Sequence, residues 1–144
     1  MAVQNDIVAY SALGQLVLVV EVRTKRSTDS RWAAGTRQIL LENALVSNAP
    51  YFLLALPDHF YLWVNKQRPE LASPDYVIDP APLLKPYFGT DGVPEYLTEN
   101  GFELVIRSWL NELMQAADTS DDWLKESGLF DALKRGYLAY EIAI

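Results

Sequence analysis

The sequence predicts an α/β domain with a mixed central β-sheet flanked by helices. Three observations predict it. Leu16–Thr24 and Tyr51–Leu56 are β-rich and almost continuously apolar, as strands buried on both faces are. A helix-start signal and helical spacing lie between them. Further on, Phe102, Val105, Ile106, Trp109, Leu110 and Leu113 follow the i, i+3, i+4, i+7 rule, the strongest periodic signal in the chain. At 144 residues, half of them apolar, the chain has the size and content of a single domain, 1–144, with a true core.

Each element has a local reason. "NDIVAY" (5–10) reads as a short strand, and "ALGQ" as a turn in which Gly14 supplies a permissive backbone. Leu16–Thr24 is the central strand. "STDS" (27–30) opens a helix, with Asp29 or Ser30 accepting from the first orphan N–H groups. That helix is expected to run to about Val46, with Trp32, Gly35, Ile39 and Val46 on its buried face and Asn43 interrupting the stripe. "APYFLLAL" and "FYLWV" are strands joined by the turn "PDHF". Residues 69–94 hold six of the eight prolines, so they are expected to be neither regular helix nor central strand. Thr98 or Asn100 opens the next helix. "TSDDWL" opens another, with Thr119 and Asp122 at capping-box spacing, and "KRG" (134–136) closes it. "YLAYEIAI" is expected to be a final strand. There is no internal repeat. The core of the domain is about 4–65, followed by a helical and irregular half, 66–144.

Composition narrows the function. No apolar run approaches the ~18 residues of a membrane span, so no membrane role is expected. "MAVQNDIVAY" shows no export signal, and the absence of cysteine removes disulfides, thiol nucleophiles and thiolate metal sites. The expected location is cytoplasmic. A net charge of −7 argues against a general nucleic-acid binder. The charge is uneven, however: residues 1–69 carry +2 and residues 70–144 carry −9. Arg23, Lys25, Arg26, Arg31 and Arg37 fall in a stretch with one acid, Asp29. They form either a solvated loop and helix face or a local phosphate-facing patch.

The run "LVLVVEVRTKR" (16–26) places Glu21 inside a buried strand, where an unpaired carboxylate is expensive. Side chains alternate along a strand, so Glu21, Arg23 and Lys25 share a face. A two-residue turn at Leu13-Gly14 sets Asp6 opposite Glu21, and one at Gly14-Gln15 sets Asp6 opposite Arg23. Either register keeps the two acids on one face, whereas a three-residue loop would separate them. Two close carboxylates repel unless one is protonated or a divalent cation joins them. Glu21 therefore either pairs with Arg23 or Arg37, or shares a metal with Asp6.

The order Asn5-Asp6, then "LVLVVEVR" ending in Glu21-Val22-Arg23, then a helix bearing Arg37-Gln38, then "APYFLLALPDHFYLW", resembles the PD-(D/E)xK nuclease superfamily. This is the restriction-endonuclease-like fold, here similar to the N-terminal domains of type I restriction subunits. The resemblance covers roughly residues 4–65. It implies Mg²⁺, or Mn²⁺, held by Asp6, Glu21 and the backbone of Val22, with Gln38 on the following helix lining the site. It implies DNA as substrate and attack by a metal-activated water. Arg23 stands where that family carries its lysine, and Asn5 where it carries proline. Arginine binds phosphate but stays protonated, so it is a poor proton carrier. Lys25, one pleat further along, is the nearest substitute. The family's opening helix has no counterpart before Asp6 and is expected, if present, from the acidic C-terminal half.

Other features read as structure. His59 is the only histidine and sits in a turn beside Asp58. "FYLW" and Trp109 read as core rather than as base-stacking surfaces. "DTSDD" reads as helix capping rather than a calcium loop. Two functions follow: a Mg²⁺-dependent phosphodiester hydrolase acting on DNA, or a catalytically inactive nuclease-fold protein serving as a binding or regulatory subunit. An unrelated α/β protein with a Glu21–Arg23 pair is the third reading. A homodimer or a partner subunit is compatible with the exposed edge of a C-terminal strand.

Overall fold

The computed structural model describes residues 6–66 and 68–139. The elements run β1 (Ile7–Tyr10), β2 (Leu16–Val22), α1 (Ser30–Glu42), β3 (Tyr51–Ala55), β4 (Phe60–Val64), β5 (Tyr76–Ile78), α2 (Ala81–Phe88), α3 (Glu99–Gln115), α4 (Asp122–Glu126), α5 (Leu129–Leu133) and β6 (Tyr137–Ala139). The strands form one sheet in the order β5-β4-β3-β2-β1-β6. β2 and β3 are parallel and joined by α1 as the crossover, and the other neighbours are antiparallel. The expected mixed sheet flanked by helices is therefore present. Asn5, and the tail of the expected last strand beyond Ala139, lie outside the described residues.

Strand alternation divides the apolar side chains between two cores. Val20, Val22, Leu53, Ala55, Phe60 and Leu62 meet Phe102, Ile106 and Leu110 of α3. Val19, Leu54, Tyr61 and Trp63 meet Ala33 and Leu40 of α1. "FYLW" is thus core, as expected. α3 comes from the acidic half and covers one face of the sheet.

The β1–β2 connection is neither of the two turns weighed from the sequence. Ser11 and Gln15 bracket a three-residue loop: Ser11 N–H donates to the Gln15 carbonyl at 2.8 Å, and Gly14 turns the chain at φ +82°. Alone, that loop would have put Asp6 and Glu21 on opposite faces. A bulge reverses this. Tyr10 pairs with Leu16, but Ala9 pairs with Leu18, so Val17 is the extra residue. From there Val8 faces Val19 and Ile7 faces Val20, and the same register continued by one residue sets Asp6 opposite Glu21.

Two expectations change in α1. The helix stops at Glu42 rather than near Val46. Asn43 caps it, its side-chain amide donating to the Ile39 carbonyl at 2.8 Å, and Ala44 turns off at φ +52°. The buried face carries Ala33, Ala34, Arg37 and Leu40, while Ile39 is 58% exposed. The reason is Arg37. Its guanidinium lies 5.7 Å from the centre of the Trp63 ring and donates to the carbonyls of Lys66, Arg68 and Glu70. An apolar count along the helix misses a face with an arginine at its centre.

The proline-rich segment also departs from expectation, because it contains β5 and α2. β5 is an edge strand, where proline neighbours are tolerated. In α2, Pro80 is the N-cap and Pro82 lies in the first turn, where its missing N–H leaves no bond unmade. Only Pro86 is inside the helix, near its end. At α3, Thr98 is the cap, accepting from Gly101 N–H at 3.0 Å. At α4 the cap position is Asp121, whose own N–H donates to Thr119 Oγ1 at 3.2 Å, in place of a Thr119–Asp122 box.

Replacing Arg37 with leucine strands the carbonyls that follow β4. The expected loss is about 2–4 kcal/mol in urea denaturation, with proteolysis appearing first near residues 66–70.

Candidate active site

β2 ends on Glu21-Val22, and β1 begins just after Asp6, so both acids meet at one end of the sheet. The Asp6 carboxylate accepts from the Val22 backbone N–H at 2.8 Å. That bond ties it across the strands beside Glu21. Asp6 is also held from behind: Arg107 of α3 donates through Nη2 to the Asp6 carbonyl at 2.6 Å, and through Nε to Glu103 at 3.4 Å. The cleft in front measures about 100 Å³ and is lined by Asp6, Val22, Arg23, Glu99, Asn100 and Glu103.

Arg23 organises this end. A single nitrogen, Nη1, donates to Glu21 Oε2 at 3.0 Å, to Asp6 Oδ2 at 3.3 Å and to the Val22 carbonyl at 2.9 Å. These are the same three donors that the nuclease resemblance assigns to a metal. Glu21 is only 3% exposed, and its Oε1 has no hydrogen-bond partner among the described residues. Burial, and then the neighbouring Asp6 charge, push the Glu21 carboxyl up to about 8 against the opposing pull of Arg23. At neutral pH Glu21 therefore holds a proton, and Arg23 balances the charge of Asp6.

The other expected residues lie elsewhere. Lys25 is exposed, with its ammonium 5.8 Å from the centre of the Trp32 ring. Gln38 donates to Glu42 at 3.0 Å along α1. Arg37 does not pair with Glu21, since its guanidinium is spent on the carbonyls after β4. Arg26 donates to the carbonyls of Val93 and Pro94. Lys25, Arg26 and Arg37 of the cationic stretch are thus engaged with separate partners. His59 meets Asp58 at 3.1 Å and stacks on Tyr61, as a turn residue. A larger cavity, about 370 Å³, lies between the β3–β4 turn and α2 over Leu84 and Phe88, and none of Asp6, Glu21 and Arg23 lines it.

Glu99, Glu103 and Arg107 were missed from the sequence. The available signal was the i, i+4 acid–base pair Glu103–Arg107 on an amphipathic helix. Nothing local says that this pair faces residue 6.

The donor set fits a small hard cation. Two carboxylates and a carbonyl are oxygen ligands, and Mg²⁺ is often held by one or two carboxylates with water and phosphate completing its shell. Glu21 Oε1 is a buried acceptor left over. Among the described residues, no three His, Cys, Asp or Glu side chains gather closely enough to hold a metal by themselves. The remaining positions would fall to water or substrate. Comparison with protein-family models, curated proteins and solved structures found no match to this chain.

The raised Glu21 value has a sign. The folded chain holds one proton more than the unfolded chain between the ordinary glutamate value of 4.5 and about 8. Stability therefore falls as pH rises through that window, by at most ~1.4 kcal/mol per pH unit. Urea denaturation across the window should show this decline in the native sequence and a flatter profile in Glu21→Gln.

Proposed function

We propose that the chain is a restriction-endonuclease-like domain whose cleft follows the plan of a Mg²⁺-dependent phosphodiester hydrolase acting on DNA. The convergence of the Asp6 carboxylate, the Glu21 carboxylate and the Val22 carbonyl on one point carries this reading. The surrounding architecture supports it: an antiparallel hairpin brings the acids together, and a helical crossover returns to a parallel neighbour. Among the described residues, no helix is long and apolar enough to cross a membrane.

Asp6, Glu21 and the Val22 carbonyl would hold the ion, which when bound supplies charge neutralisation and a more acidic water. Glu21 must give up its proton to serve as a ligand. Arg23 is the one cation in contact with both acids in the described structure, and its planar fork matches two phosphate oxygens. Val22 N–H and Arg107 hold Asp6 on either side, so its carboxylate is positioned before any ligand arrives. Without lysine, the water must lose its proton to bulk solvent or to the substrate, and turnover is expected to be slow.

A second reading has its own observation. Arg23 Nη1 already occupies the point where the three oxygens converge, while Lys25 lies over Trp32 and Gln38 bonds Glu42. A binding or regulatory subunit that retains the fold without hydrolysis would look like this.

Supercoiled plasmid incubated with Mg²⁺ or Mn²⁺ separates the two. The hydrolase reading expects slow nicking that Glu21→Gln and Asp6→Asn abolish, and that Arg23→Lys accelerates by roughly tenfold or more, the scale of a positioned acid or base. No nicking by either the native chain or Arg23→Lys, with both folded, leaves the subunit reading.

A further inference from the structure

We infer that Arg23 is the resident cation of the cleft, and that a phosphodiester must draw its guanidinium off the carboxylates before a divalent ion can bind there. This inference rests on the two-carboxylate reading above and concerns how that site is controlled.

Three distances place Nη1 at 2.9–3.3 Å from Val22 O, Glu21 Oε2 and Asp6 Oδ2. A Mg²⁺ ion takes such oxygens at about 2.1 Å, so it needs the space that Nη1 fills. Two cations also repel strongly at that separation in a partly buried cleft. Occupancy by the guanidinium and by the ion are therefore mutually exclusive.

Glu21 is 3% exposed, whereas the Arg23 side chain is 33% exposed, so its guanidinium can reach a ligand in solvent. Its bond to Asp6 is the longest of the three. What it needs is a better partner. A phosphodiester offers two oxygens in the geometry of the guanidinium fork, and charge-assisted bidentate bonds are the strong ones. Once Arg23 turns to the phosphate, the Asp6 carboxylate is left without its counter-ion, and a divalent ion that takes its place displaces the Glu21 proton. Glu99 lines the same cleft and adds to the negative field, while Glu103, also lining it, is paired with Arg107. A divalent ion is then attracted most strongly. The linkage is reciprocal: the diester tightens the ion as much as the ion tightens the diester. The chain thus keeps its metal position closed until a nucleic-acid backbone is present.

Mn²⁺ binding, followed by electron paramagnetic resonance without any cleavage readout, tests this. The native chain should bind Mn²⁺ weakly, and dimethyl phosphate or a short DNA duplex should tighten it about tenfold or more. Arg23→Met should bind Mn²⁺ about tenfold tighter with no anion present, and gain nothing further from dimethyl phosphate. Should Arg23→Met fail to fold, Arg23→Gln serves: a neutral amide leaves the three oxygens without their resident cation, so Mn²⁺ should again bind tighter. Equal Mn²⁺ affinity in the native and variant chains overturns the inference while leaving the metal site standing. Tightening by inorganic phosphate alone, with none from the diester or duplex, overturns the assignment of a diester as the releasing anion. Failure of every folded variant to bind Mn²⁺ instead removes the two-carboxylate metal reading, and this inference with it.

Discussion

Two carboxylates at the end of a buried strand cannot both be charged without a cation between them, and the rest of this structure is arranged around that constraint. Arg23 meets it with one nitrogen shared among Glu21, Asp6 and the Val22 carbonyl. Glu21 meets it a second time by keeping its proton to about pH 8. Each solution carries a cost. A protonated Glu21 is a poor ligand, and a guanidinium between the acids excludes other cations. The trio of Asp6, Glu21 and Arg23 is therefore close to neutral overall at neutral pH.

Much of the architecture was legible because period-2 and period-3.6 patterns dominate wherever burial is uniform. β2 and β3 showed as apolar runs, and α3 as a long stripe whose members lie in the core. The pairing of Asp6 with Glu21 was legible only in outcome. Both expected turns were wrong, and the observed loop alone would have sent Asp6 to the far face. The Val17 bulge restored the parity. No residue type marks such a bulge, since an extra valine in "LVLVV" looks like any other. A single uncounted residue decides whether the two acids can meet.

The remaining departures share a cause: polar or cyclic residues doing structural work that pattern rules assign to others. Arg37 occupies the centre of a buried helix face because three carbonyls after β4 need a donor, and that need arises thirty residues downstream. Pro80 and Pro82 read as breakers but sit where a helix begins and its first N–H groups have no partners anyway. Lys25 was placed near the site by strand phase, and Gln38 by the family resemblance. Their long side chains found nearer partners in Trp32 and Glu42.

The bond from Arg107 to the Asp6 carbonyl spans 101 positions of chain. During synthesis, the hairpin and the parallel pair of strands emerge long before the helix that steadies the first acid. A nascent polypeptide therefore carries the acids and their arginine for some time without that brace. Closing so large a loop is a late event in folding. The cleft reaches its finished shape only when the distal helix docks, after every strand but the last has been made.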